Sequence, residues 1–308
     1  MLPFAPVLVR HAVGIGRHPP PLLPGAPASQ ARRRARTPSA SDLTVFSVIR
    51  NGITNGYPFV EAYGSWLDVA QKILILDGES TDGTRETLDA LAALDPRIHV
   101  VGRPWPATSR GGGAIADFTT AALRLARTNG GRLMYIQADE VYTPEQRAKV
   151  AAHREGAYEF AGCVNFWNSF DRVVANEFPM RYVRLFPAAA GVRSIGDGFS
   201  FEVADIPVEA GDDEILHYGW CFPVNILLKH VSHARLYRDD PAYVARGHLA
   251  RILLEQRRYD RRLLDALAPA YRPIPFAGAH PRSMRHLLGL TAYDPAPGLE
   301  LLGASPAW

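Results

Sequence analysis

Cysteine is scarce. Cys163 and Cys221 are the only two in 308 residues. They allow one internal disulfide at most and exclude both a disulfide framework and a metal site built from thiolates alone. Buried thiols are the plain reading, and no compartment follows from them. Long apolar runs are also missing: no stretch approaches the ~18 consecutive apolar residues of a membrane-crossing helix. The short apolar stretch ahead of Arg10 has no charged region before it, which argues against a secretory signal. Acid is absent from residues 1–41, which hold six arginines (Arg10, Arg17, Arg32, Arg33, Arg34 and Arg36). The formal charge of +3 therefore misleads, because beyond that tail 28 basic residues face 31 acidic ones, a net of −3. With no basic body to track phosphates, nucleic acid is not an expected partner. A P-loop Lys-Ser/Thr pair and a G-x-G-x-x-G run are missing too.

Residues 1–41, with Pro19-Pro20-Pro21 and the arginine run ending at Arg36, lack the apolar content to bury a core and are expected to be disordered. Three roles fit the composition: a targeting peptide, a basic tether to an anionic membrane surface, or an upstream extension with no selected role. The Ala/Arg/Gly/Pro bias suits the last.

What is present is organised around Ile73-Leu74-Ile75-Leu76-Asp77-Gly78-Glu79-Ser80-Thr81-Asp82-Gly83-Thr84. A continuous apolar run marks a strand buried on both faces. It ends in a carboxylate, glycines and small hydroxyls, and residues 85–94 then repeat Leu88, Leu91, Ala92 and Leu94 at helical spacing. In open α/β sheets ligands bind at the carboxyl ends of strands, where Asp77 stands. Asp82 or Thr81 can cap the helix by accepting its free N–H groups. The plain alternative is an ordinary βα turn that uses Asp, Ser and Gly for its geometry.

Further strands are expected at 43–49, 98–101 and 133–136, with helices at 59–66, 114–128 and from Pro144, a residue suited to a first helical turn. Strands alternating with helices at this spacing predict βαβ units and a parallel sheet. Ser109-Arg110-Gly111-Gly112-Gly113 precedes a helix and is either a phosphate cradle or a flexible loop. The strand at 133–136 ends in Gln137-Ala138-Asp139-Glu140. Two carboxylates there suggest a divalent cation, unless Asp139 caps the turn and Glu140 is solvated. Residues 160–170 read as an aromatic-rich strand. Arg181 and Arg184, on a strand at 181–186, are expected either to bind phosphates or an anionic acceptor, or to form sheet-edge salt bridges. Residues 194–201 read as a Gly-containing loop around Asp197. His217, within Ile215-Leu216-His217-Tyr218-Gly219-Trp220, is either a packed histidine or a neutral imidazole for the same metal as Asp139. Beyond 222 the pattern is helical, with no catalytic constellation, and suits an appendage or a homodimer surface. From Pro269 on, the chain is expected to wrap or fray.

Taken together, these stretches resemble family 2 glycosyltransferases. Leu76-Asp77-Gly78-Glu79-Ser80-Thr81-Asp82-Gly83-Thr84 is similar to their Asp-rich signature. Tyr135-Ile136-Gln137-Ala138-Asp139-Glu140, about 60 residues on, lies where they carry Asp-x-Asp, and His217-Tyr218-Gly219-Trp220 is similar to a late His-containing strand. The resemblance spans 43–223. It implies a GT-A-like α/β fold, a three-layer sandwich around a mainly parallel sheet, with the domain at 42–223 and a helical extension at 224–308. It also implies inverting transfer of a sugar from a nucleotide-diphosphate donor to a glycan, lipid-linked or small-molecule acceptor. Nucleotide contacts fall on Arg50 and Asn51 within the first-strand region, on Asp77 with Gly78, and on Gln137 with Ala138. Mg²⁺ or Mn²⁺ falls on Asp139, with His217 or Glu140 compensating for Gln137, which replaces the motif's first Asp and brings no charge. The family's general base is assigned by position to Asp197, with Glu202 second. A cytoplasmic protein is expected; a lipid-linked acceptor would put it at the inner face of a membrane.

Two rivals remain. Gln137 is compatible with a non-catalytic relative that binds a nucleotide, glycan or partner protein. A nucleotidyltransferase would need a Gly-rich, basic first βα turn, of which Arg50-Asn51-Gly52 is a poor version.

Overall fold

The structure is a computed structural model and describes residues 42–106, 111–174, 180–269 and 271–304. The arginine-rich tail and the Ser109-Arg110 part of the glycine loop lie outside the described residues. From Asp42 onward the described residues belong to one compact unit.

The chain runs β1 (Leu43–Ile49), α1 (Gly52–Asn55), α2 (Phe59–Ser65), β2 (Lys72–Asp77), α3 (Thr84–Leu94), β3 (Ile98–Gly102), α4 (Gly111–Arg127), β4 (Arg132–Tyr135), β5 (Glu140–Val141), α5 (Pro144–Ala152), β6 (Ala157–Phe160) and β7 (Gly162–Phe166). It continues through β8 (Arg172–Val174), β9 (Tyr182–Pro187), β10 (Gly191–Ile195), β11 (Ser200–Ala204), β12 (Val208–Ala210) and β13 (Glu214–His217). The last elements are α6 (Pro223–Leu236), α7 (Pro241–Glu255), α8 (Arg261–Ala266), β14 (Pro273–Pro275) and α9 (Ala296–Ala304).

A seven-stranded sheet has the order β12-β6-β9-β4-β1-β2-β3. β3, β2, β1 and β4 are parallel neighbours; β9 runs antiparallel between β4 and β6. This is the expected α/β fold around a mainly parallel sheet. Every residue of β1 is buried, because alternate side chains enter two cores. Val45 and Ile49 pack with Phe59 of α2 and with Leu88 and Leu91 of α3. Phe46 and Val48 pack with Phe118 and Ala122 of α4. The sheet is therefore the middle of three layers. Burying each such Leu, Ile or Phe side chain contributes about 1.5–3 kcal/mol. Strand β1 is thus an interior strand of the sheet and a joint between the two cores.

Several element boundaries differ from the sequence reading. Helix α4 starts at Gly111, so Gly111 to Gly113 form its first turn rather than a loop. Residues 160–170 do not form one strand: β6 belongs to the large sheet and β7 to a second sheet, β14-β8-β7-β13-β5. The loop expected at 194–201 is the tip of a β10–β11 hairpin, with Gly196 and Gly198 at φ 62° and 80°. Pro144 does open a helix, and Thr143 with Gln146 forms a capping box ahead of it.

The C-terminal segment wraps the sheet domain rather than fraying. Strand β14 pairs with β8. Tyr293 donates its hydroxyl to the fully buried Glu61 carboxylate at 3.0 Å, and His286 Nε2 lies 2.9 Å from the other carboxylate oxygen. Asn225 on α6 donates to the carbonyls of Ile53 and Thr54 (2.7 and 3.1 Å) and accepts from the Tyr293 backbone (2.8 Å).

Between α6 and α7, His230 is buried, and among the described residues neither ring nitrogen has a hydrogen-bond partner. Burial, and then the Arg246 and Lys229 charges, pull its pKa down to about 4. On acidification the unfolded chain takes up this proton first, near pH 6.5, so the stability is complete above that pH and is lost as pH falls toward 4. Between pH 7.5 and 5, wild type is expected to lose about 2 kcal/mol more unfolding free energy than His230→Leu. Urea unfolding of both proteins at the two pH values checks this; parallel losses would refute it.

Candidate active site

The site is a cleft of about 650 Å³ at the carboxyl ends of β1 and β4, closed on the far side by α6 and the chain that follows it. Of the residues singled out from sequence, Arg50, Asn51, Gln137, Ala138, Asp139, Asp197 and His217 all line it.

Asp77 and Gly78 do not line it. Asp77 is 1% exposed, and its Oδ1 accepts the Ser80 hydroxyl at 2.6 Å and the Ser80 amide at 3.2 Å. It organises the turn instead of facing a ligand. The Ser80 hydroxyl in turn accepts the Asn51 amide (2.8 Å), and Asn51 Oδ1 accepts the Thr81 amide (2.8 Å). Asp82 accepts the Thr84 amide at the start of α3 (3.1 Å) and the Thr54 amide (2.7 Å). The β1–α1 and β2–α3 turns are thereby stitched together, with Asn51 held at φ 51°. Gly78 lies under Arg50 and Trp105: a Cβ there would come within 2.9 Å of the Trp105 ring. Arg50 stacks over that ring, 5.5 Å from its centroid. Signature residues therefore shape this wall of the cleft from behind, and Arg50 and Trp105 present it.

The floor is the turn after β4. Antiparallel pairing of β13 with β5 sets His217 opposite Glu140 and delivers its ring to Asp139. His217 Nε2 stands 3.3 Å from Asp139 Oδ2, and Lys229 Nζ of α6 stands 3.6 Å from the same oxygen. Burial alone would raise the Asp139 pKa; the His217 ring and the Lys229 ammonium outweigh it and hold the carboxyl below its ordinary range. Gly219 is required by this crowding, since a Cβ would fall 2.1 Å from Asp139 Oδ2 and 2.8 Å from Lys229 Nζ.

Glu140 takes no part in the cleft. It is fully buried and paired with the equally buried Arg184, whose guanidinium lies 5.0 Å from the Tyr135 ring centroid. Glu140 Oε2 accepts the Gln137 amide (2.9 Å) and the Tyr142 hydroxyl (3.2 Å). Burial raises the Glu140 pKa and Arg184 opposes that. Glu140 is thus neither solvated nor available to compensate for Gln137. Arg184 is held in this pair, Arg181 contacts Glu159 and the Gly211 carbonyl, and neither lines the cleft. Glu202 pairs with Arg193 on the exposed face of the hairpin.

Asp197 sits at the hairpin tip against the start of α4, where a Cβ on Gly112 would meet Asp197 Cβ at 3.0 Å. Among the described residues its buried Oδ1 has no hydrogen-bond partner. Other atoms of Asp197 line the cleft, so the residue stands at its wall with one oxygen buried behind it.

The residues fit a divalent cation. A carboxylate oxygen and an imidazole nitrogen 3.3 Å apart are spaced as two neighbouring ligands of one ion. Mg²⁺-type sites in phosphate chemistry take only one or two protein ligands and complete the shell with phosphates and water. Among the described residues, no group of three His, Cys, Asp or Glu side chains converges to hold an ion without such help.

Lys229 was missed from sequence, as were the aromatic and cationic lining residues His233, Arg235, Tyr237 and Arg238. The available signal was a lysine at the apolar spacing of α6, beside Ile226, Leu227 and His230.

No family model matches the chain. Among solved structures it is similar to TarS 1-349 from S. aureus, at 12% identity over 68% of this chain and 71% of that one, with a TM-score of 0.35. It aligns with a longer S. aureus TarS structure at 14% identity and a TM-score of 0.36, over 73% of this chain and half the length of that one. It is also similar to the mannosyltransferase PcManGT from Pyrobaculum calidifontis in complex with GDP-Man and Mn²⁺, at 16% identity over 86% of this chain and 80% of that one, with a TM-score of 0.35. Likeness at this level says nothing about what this chain binds. Among the described residues, no helix is long and apolar enough to cross a membrane.

Proposed function

We propose that the chain is an inverting glycosyltransferase that uses a nucleotide-diphosphate sugar. The observation that carries this reading is one cleft, at the carboxyl ends of parallel strands, holding the Asp139–His217 pair 3.3 Å apart and lined also by Asp197. When bound, Mg²⁺ or Mn²⁺ on Asp139 and His217 supplies positive charge to the departing diphosphate. Arg50 and Trp105 offer a cationic and stacking wall for the nucleoside side of the donor, with Asn51, Gln137 and Ala138 beside it. Asp197 accepts the acceptor hydroxyl's proton as that oxygen attacks the anomeric carbon. The new C–O bond forms as the bond to the diphosphate oxygen breaks on the opposite face, so the configuration inverts. The acceptor is a glycan, a lipid-linked glycan or a small molecule, entering between the Asp197 hairpin and α6. Gln137 favours a second reading, a non-catalytic nucleotide- or glycan-binding relative, because it leaves the turn one charge short of Asp-x-Asp.

A thermal-shift panel of UDP, GDP, dTDP and CMP, each with Mn²⁺, Mg²⁺ or chelator, tests the reading. One diphosphate is expected to stabilise the protein by about 2.7 kcal/mol at a hundredfold excess over its Kd. The shift is expected to shrink with chelator. No shift with any nucleotide would remove the donor site.

A further inference from the structure

Lys229 is 4% exposed and stands on the inward face of α6 among Ile226, Leu227 and His230. Its ammonium donates to the Gly219 carbonyl at 3.0 Å and lies 4.3 Å from the Trp220 ring centroid and 4.6 Å from that of Tyr57. This aromatic cage and the carbonyl fix the charge in place. It faces Asp139 Oδ2 at 3.6 Å, farther than a hydrogen bond, while His217 Nε2 is nearer the same oxygen. It also lines the cleft. The carboxylate that would hold a cation is therefore already neutralised by a fixed ammonium.

We infer that Lys229 makes cation binding at Asp139 and His217 conditional on the nucleoside diphosphate. The inference rests on the donor-site reading above. A free dication entering beside Asp139 meets the pinned ammonium within a few ångströms, in a site where water screens poorly. It also finds only two protein ligands. A diphosphate brings two or three negative charges and further oxygen ligands. The ammonium that repels the lone cation attracts that diphosphate, using the N–H groups not given to Gly219. Cation and nucleotide thus bind far better together than apart, and the coupling is the same seen from either ligand.

Mn²⁺ binding to the full chain, followed by the electron paramagnetic resonance of the free ion, tests this without turnover. Wild type is expected to bind Mn²⁺ alone weakly, with UDP or GDP tightening it by on the order of tenfold or more. Lys229→Met is expected to bind Mn²⁺ alone about tenfold tighter than wild type and to show a correspondingly smaller nucleotide-dependent tightening, the part due to the diphosphate's own oxygen ligands being kept. A lysine with a packing role alone would not raise Mn²⁺ affinity when removed. An affinity for Mn²⁺ alone in Lys229→Met that equals or falls below that of wild type overturns the inference while nucleotide binding stands. Should that variant fail to fold, wild type decides: Mn²⁺ bound as tightly without nucleotide as with it overturns the inference. No binding of either nucleotide, with or without Mn²⁺, overturns the donor-site reading and this inference with it.

Discussion

Asp139→Asn is expected to lower kcat/KM for sugar transfer by roughly a thousandfold or more, about 4 kcal/mol of transition-state stabilisation. The substitution keeps the shape of the side chain and leaves the Asp139 carbonyl free to accept the Tyr218 amide, now at 2.8 Å, so the local backbone is preserved. What disappears is the single charge on which His217 and Lys229 converge. Without it the floor of the cleft carries a buried ammonium and no counter-charge. A cation then has only an imidazole and a neutral amide to hold it, and charge developing on the leaving diphosphate loses its stabiliser. Release of nucleoside diphosphate in the presence of acceptor, measured alongside a circular-dichroism melt, checks the prediction. Activity retained within tenfold of wild type would show that Asp139 is not at the reacting centre. For a non-catalytic binder, the substitution would change nucleotide affinity without any turnover to lose.

Arg184→Met is expected to cost about 3–5 kcal/mol of folding stability, because it strands Glu140 as a buried charge without its partner. Both side chains of this pair are 0% exposed. The loss is expected to be largest above neutral pH. Burial already raises the Glu140 pKa against the pull of Arg184, and removing Arg184 raises it further. In the variant the folded chain then holds a proton that the unfolded chain releases above about pH 4.3, so stability rises as pH falls. Guanidinium unfolding at pH 8 and pH 5 should show the deficit shrinking toward acid. Replacing Glu140 by Met in the same chain should restore much of the stability, since a well-packed apolar pair can substitute for a buried ion pair. Equal deficits at both pH values would mean that Glu140 is neutral already. The pair also matters to the site, because Glu140 holds the Gln137 amide and so the turn that carries Asp139.

Much of the frame was legible because its cause is local. Residues 73–76 are apolar at every position and bordered by Asp and Gly, and they are β2, buried between two cores. Pro144 after Thr143 opened a helix as their geometry requires. Asp139 and His217 could be read as partners because each stands at the end of a strand with polar chemistry. One missed feature is local and the others come from distant segments. Asp77, the most conspicuous carboxylate of the signature, is held by Ser80 three residues later and buried behind the cleft lining. Glu140 and Arg184 are 44 residues apart, and their pairing follows from two neighbouring sheets, so one reads as solvated or metal-binding and the other as anion-binding or salt-bridged to an unnamed partner until the chain is folded.

By itself the sequence determined the class of fold, the strand ends that bear the chemistry, and seven of the residues that line the cleft, because hydrophobic period and turn composition act over a few residues. The tertiary structure alone decided which charges are free to act. It spent Asp77, Glu140 and Arg184 on buried contacts, left one Asp197 oxygen without a partner among the described residues, and brought Lys229 from a C-terminal helix against Asp139. Electrostatic pairing depends on distance in space and on exclusion of water, and neither is set by spacing along the chain.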